Sequence, residues 1–78
     1  MNFTLFITAD CSTCEKVEKN LRMILKSNSR FILHVENIDK ENPKNIVIVP
    51  ALFIEDKLFA YGEVDYYKLT KYVKSTKF

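Results

Sequence analysis

Apolar positions along the chain change their period at a few sharp points, and these points divide it into elements. Phe3 to Thr8 is a run of β-branched and aromatic residues, apolar enough for a central strand. It gives way to Asp10, Cys11, Ser12 and Thr13, all residues of the helix-capping type. The period then lengthens: Cys14, Val17, Leu21, Ile24 and Leu25 recur at helical spacing. On the opposite face Glu15 stands four before Lys19 and Glu18 four before Arg22, the order in which such pairs support a helix. Ser27-Asn28-Ser29 is expected to end it.

Phe31 to Ile38 reads as a second strand. A helix joins it to the first, so the two are expected to pair in parallel through a right-handed crossover. Asp39 to Asn45 is a polar connection containing Pro43. Ala51 to Glu55 and Leu58 to Tyr61 then form an antiparallel hairpin around Asp56-Lys57, a turn without the favoured glycine. Gly62 closes the hairpin. A second helix is expected from Val64 to Lys74, with Tyr66, Leu69 and Val73 on its inner face and Asp65 in its first turn. Together these elements predict an α/β fold: a β-α-β unit, a β-hairpin and a C-terminal helix in one domain over residues 1–78.

Composition narrows the class. Among 78 residues 47% are apolar, with one Gly and two Pro, which excludes a disordered or loop-dominated chain. Twelve Lys and Arg against ten Asp and Glu leave +2, too little for a nucleic-acid surface built from charge alone. The longest apolar run, Ile46 to Ile54, is broken by Pro50 and far short of the roughly 20 residues that span a membrane. The first residues form no basic leader, so the expected compartment is the reducing cytoplasm. His34 falls mid-strand and is expected to be a partly exposed strand residue. Lys68, Lys71, Lys74 and Lys77 read as a solvated helix face, Tyr66, Tyr67 and Tyr72 as helix packing, and Phe31 and Phe53 as core.

The chemistry is concentrated in Cys11-Ser12-Thr13-Cys14, placed where a strand ends and a helix begins. A thiolate is the reactive form of cysteine, and the free N–H groups of a helix N-terminus stabilise it. Two intervening residues let the second sulfur reach the first, so a mixed disulfide can resolve within the chain. Cys11 is then the exposed attacker and Cys14 the buried resolver. Asp10 and Glu15 oppose the thiolate while the helix terminus favours it. The Cys11 pKa is therefore expected below that of a free thiol, but short of the very acidic thiols of strong oxidants. The pair also suits half of a zinc site, yet zinc takes four ligands and the chain adds one distant His. A non-catalytic binding module is the third reading.

Val49-Pro50 stands just before the hairpin, where proline costs no ladder hydrogen bond. With strand–CxxC–helix at Cys11 to Cys14, Val49-Pro50 before a hairpin and Gly62 ahead of the last helix, the chain resembles the thioredoxin superfamily, most closely its small glutaredoxin-like members. The resemblance spans nearly the whole chain. It implies thiol–disulfide oxidoreductase activity with Cys11 as nucleophile, Cys14 as resolver and a cis Pro50 beside them. It implies Val49 and Pro50 as the substrate-binding residues. No organic cofactor is expected, because the Cys11–Cys14 disulfide itself carries two electrons. The expected partners are protein or small-molecule disulfides and, as electron donor, a reductase or glutathione. Thr8 stands where glutathione-using members often carry lysine, which weighs against glutathione. No nucleic-acid or membrane partner is expected, and the chain is expected to act as a monomer. Only eleven residues separate Ile38 from Pro50, so the family's middle helix is expected to be lost or reduced to a turn.

Overall fold

The computed structural model describes residues 1–26 and 29–75. Its elements run β1 (Asn2–Ile7), α1 (Ser12–Leu25), β2 (Ile32–Asn37), β3 (Ala51–Ile54), β4 (Lys57–Tyr61) and α2 (Tyr66–Ser75). They build one four-stranded sheet of order β2-β1-β3-β4. β1 lies centrally, parallel to β2 from Asn2 opposite Ile32 to Ile7 opposite Asn37, and antiparallel to β3. This is the expected β-α-β unit followed by a hairpin and a helix, a minimal thioredoxin-like arrangement.

One face of the sheet carries the core. Phe3 and Leu5 from β1 and Leu52 and Ile54 from β3 alternate onto it, as a strand's period of two requires. Val17, Leu21 and Leu25 of α1 and Leu69 of α2 cover them. Phe31 is buried there as expected, edge-on to Phe3 with ring centroids 5.6 Å apart. Phe53 is not in that core. It points to the opposite face, half-buried and edge-on to Phe6 at 5.4 Å, with the Lys44 ammonium 5.3 Å above its ring.

That second face is covered by the connection between β2 and β3. Among the described residues the connection contains turns and no helix, in line with the expected loss of the middle helix. Asn42 braces it, since its side chain accepts the Ile46 N–H at 2.7 Å and donates to the Ile46 carbonyl at 2.8 Å. No helix among the described residues is long and apolar enough to cross a membrane.

Most strand ends fall within one residue of the pattern in the sequence, while the hairpin turn and the start of the second helix differ in ways that matter. The hairpin turns at Glu55-Asp56, one residue earlier than Asp56-Lys57, and both residues have positive φ (49° and 73°), as a type I′ turn demands. Glu55 is held there by β1: its N–H donates to the Asn2 carbonyl at 2.9 Å, and its carboxylate accepts the Asn2 N–H at 2.8 Å. A bulge absorbs the shift, because Phe53 pairs with Leu58 and Leu52 with Ala60. Phe59 is left over, and consecutive Phe59 and Ala60 both pack on the core.

The second helix starts at Tyr66, not Val64. Asp65 is its N-cap, accepting the Lys68 N–H at 3.1 Å, and therefore precedes the first turn. Buried Val64 packs with Leu69 in the core, the arrangement of a hydrophobic staple. α1 ends at Leu25 with Lys26 as its C-cap; of the expected terminator Ser27-Asn28-Ser29, Ser27 and Asn28 lie outside the described residues, as does Lys77.

Candidate functional site

The pairing register gathers several segments at one end of the sheet. Phe6 lies opposite Ala51 and Ala51 opposite Tyr61, while Ile7 lies opposite Asn37. The loop after β1, the chain leaving β2, the approach to β3 and the exit from β4 therefore meet there. Cys11 and Cys14 occupy the first of these segments, Val49 and Pro50 the third, and Gly62 the fourth.

Cys11 is the N-cap of α1, with extended backbone angles of −115° and 100°. Its sulfur accepts the Cys14 N–H at 3.1 Å, and its carbonyl accepts the Glu15 N–H at 3.1 Å. An element that ordinarily uses a Ser or Asp oxygen to satisfy its free N–H groups here uses a sulfur. Cys11 and Cys14 are joined as a disulfide, their Cα atoms 5.2 Å apart. Cys14 is 1% exposed, whereas Cys11 is half-buried. Cys11 is thus open to solvent in part and Cys14 is not.

The loop that presents Cys11 is tied down on both sides. The Ala9 N–H donates to the Asp39 carboxylate at 2.9 Å, and Asn37 in turn accepts the Asp39 N–H at 2.7 Å. Asp10 takes a positive φ of 54° to turn the chain from strand to helix, a conformation Asp tolerates better than most side chains. Across the site, the Val49–Pro50 bond is cis. Pro50 is fully buried and Val49 half-buried, and the Pro50 carbonyl accepts the Gly62 N–H at 2.7 Å. Gly62 has φ 72°, where a glycine is unstrained. A cavity of about 50 Å³ joins Thr13 and Lys16 of α1 to Glu63, Val64 and Tyr66.

Other residues singled out from the sequence lie elsewhere. His34 is exposed on β2 opposite Thr4, three residues short of the strand end that carries the cysteines. Lys68, Lys71 and Lys74 are exposed on α2. Tyr72 packs edge-on against Phe59 at 5.7 Å, exposed Tyr67 lies 5.6 Å from the Lys71 ammonium, and Tyr66 edges the small cavity. Among the described residues no three His, Cys, Asp or Glu side chains are grouped to hold a metal ion.

Sequence reasoning singled out Gly62 but did not identify Asp39 or Glu63 as neighbours of the cysteine loop. Only the hydrogen bonds and the shared cavity bring them there. A glycine required at positive φ was the one local signal available, and it marks a turn without naming what the turn supports.

A family model described as thioredoxin domain matches residues 1–74. No curated protein matches the chain.

Proposed function

The chain belongs to the thioredoxin domain family, and we propose that it works as a thiol–disulfide oxidoreductase through Cys11 and Cys14. The observation that carries this reading is the position of the Cys11 sulfur. It is half-buried, it caps α1 and it accepts the Cys14 N–H at 3.1 Å. A donor aimed at that sulfur favours its anionic form.

In the reduced protein the Cys11 thiolate attacks one sulfur of a substrate disulfide. The substrate S–S bond breaks, and its other sulfur leaves as a thiolate that takes up a proton. A mixed disulfide on Cys11 remains. Cys14 loses its proton and attacks the Cys11 sulfur, expelling the second substrate thiol and closing the Cys11–Cys14 bond. Two electrons pass from the dithiol to the substrate. The protein is recharged by a reductase or by glutathione, and no organic cofactor takes part.

Val49 and Pro50 are assigned to substrate binding from their place at the same end of the sheet and from the family resemblance. In this reading the protein acts as a cytoplasmic monomer on protein or small-molecule disulfides, with no part for nucleic acid or membrane.

Trapping tests the assignment. With Cys14→Ser the attack proceeds and resolution does not, so mixed disulfides with substrate accumulate on Cys11 and disappear on reduction. Cys11→Ser yields none. If neither variant forms an adduct, or if metal retained under reducing conditions blocks alkylation of the wild-type pair, the cysteines are ligands or core and not a redox couple.

A further inference from the structure

Four residues, Thr8 to Cys11, carry the chain from the end of β1 to the first turn of α1. Within them Asp10 takes a φ of 54°, a left-handed conformation that an unheld loop has reason to leave.

The ladder between β1 and β2 reaches this loop. Its last pair is Ile7 opposite Asn37, and the Ile38 N–H donates to the Ile7 carbonyl at 2.9 Å. There the strand pairing stops and a side chain takes over. Asp39 accepts the Ala9 N–H on Oδ2 at 2.9 Å, and its own N–H donates to Oδ1 of Asn37 at 2.7 Å. The second bond fixes Asp39 to the end of β2, and the first fixes the loop to Asp39. Ala9 stands two residues before Cys11, with the left-handed Asp10 between them.

Cys11 depends on this placement. Its sulfur accepts the Cys14 N–H at 3.1 Å only while Cys11 stays outside the helix, at backbone angles of −115° and 100°. If Asp10 relaxes to negative φ, the chain enters α1 at another angle and the sulfur leaves that N–H.

On the premise that the pair exchanges disulfides, we propose that Asp39 is a positioning residue of the exchange, acting through the Ala9 N–H to keep Cys11 as the cap of α1. The hold lies in its acceptor oxygen and not in its charge. A carboxylate near a thiolate opposes it, so the two contributions of Asp39 have opposite sign. Asparagine separates them, because it keeps an oxygen acceptor and carries no charge.

The test compares Asp39→Asn with Asp39→Ala in the reduced full-length protein. Asp39, Asn37 and Ala9 are all exposed, so neither substitution disturbs the core. Both remove the charge, and Asp10, Glu15, Lys16, Lys40 and Glu63 are common to both. The variants therefore differ at the acceptor. The rate of alkylation by iodoacetamide is followed against pH, with the label assigned to Cys11 by peptide mapping, and its inflection reports the thiol.

The inflection in Asp39→Ala is expected roughly 0.5–1 pH unit above that in Asp39→Asn, the scale of one hydrogen bond. At a pH about one unit below both inflections, Asp39→Ala should reduce bis(2-hydroxyethyl) disulfide, a neutral substrate, roughly two- to fourfold more slowly. Fewer thiols are then ionised, and the greater nucleophilicity of a more basic thiolate offsets part of the loss. Coincident inflections would overturn the proposal, and a lower melting temperature in Asp39→Ala would then identify Asp39 as a scaffold contact. An inflection in Asp39→Ala below that in Asp39→Asn would overturn it too. Failure of the wild type to reduce the neutral disulfide sinks the oxidoreductase reading, and a role for Asp39 in exchange with it. Alkylation needs no turnover, so the two failures are told apart.

Discussion

Reducing the Cys11–Cys14 bond shows which way the site is poised. The cross-link joins residues separated by three in sequence. For a closed ring of four residues, the chain-entropy relation gives about 1.9 kcal/mol in favour of the folded oxidised protein. The reduced protein recovers part of this. As a thiolate, the Cys11 sulfur turns its contact with the Cys14 N–H into a charge-assisted bond at the positive end of α1, worth about 1 kcal/mol more than the same contact to a neutral sulfur. Asp10 and Glu15, flanking the pair in sequence and exposed, oppose that gain by roughly 0.5 kcal/mol each, the scale for charges several ångströms apart in water, and by less in salt. The balance favours the oxidised fold by about 1–2 kcal/mol.

Folding and redox form a closed cycle, so the same difference separates the redox free energies of the native and unfolded dithiols. At about 1.4 kcal/mol per 30 mV, the native pair is roughly 20–40 mV more reducing than the same four residues unfolded. Parallel denaturant titrations of the oxidised and the dithiothreitol-reduced protein, followed by far-UV circular dichroism, measure the difference directly. In thermal melts the oxidised form should unfold about 5–15 °C higher. A reduced form equal to or more stable than the oxidised form would refute the reasoning. The helix terminus would then outweigh ring closure, and the protein would be poised as an oxidant.

Two further predictions concern the scaffold. Asp65→Ala removes the side chain that caps α2 and should cost about 1 kcal/mol, lowering the melting temperature by roughly 4–8 °C. The stability gap between oxidised and reduced forms should not change, and a change in that gap would show that α2 acts on the cysteine pair. Leu21→Ala empties a fully buried position between α1 and the sheet. The loss of about 3–5 kcal/mol is comparable with the whole stability of so short a chain. Circular dichroism should find the variant mostly unfolded at 37 °C, and a cooperative melt within a few degrees of the parent would contradict that packing.

Element order and the parallel pairing were legible because the period changes sharply at Asp10. Helical spacing also identified the inner face of α1, where Cys14, Val17, Leu21 and Leu25 are all buried. Facing in β3 was not legible. Ala51, Leu52, Phe53 and Ile54 are all apolar, so a period of two has nothing to alternate with, and Phe53 was placed on the wrong side. The turn was misplaced for a related reason. Glu55 and Asp56 adopt positive φ without glycine, under the hold of Asn2 from another strand, and no local signal reports that hold. The cysteine pair was legible because its chemistry is contiguous. Asp39 and Glu63 were not, because only sheet register and loop hydrogen bonds bring them to the same end.

The division of labour between the two sulfurs follows from helix geometry. Counting from Cys11 as N-cap, Cys14 is the third helical residue, and this is the spacing at which a capping side chain meets a backbone N–H. The same separation brings the third residue's own side chain back toward the cap, and here it closes the S–S bond. One position lies outside the helix and stays reachable. The other lies on the core-facing side with Val17 and Leu21 and is sealed from solvent. A spacer one residue longer or shorter would leave the backbone cap in place but move the second sulfur off the third helical position, altering both the ring closure and the contrast in burial. Ser12 and Thr13 thus contribute first through their number. Their side chains, exposed and half-buried, remain free to tune what the sulfur meets.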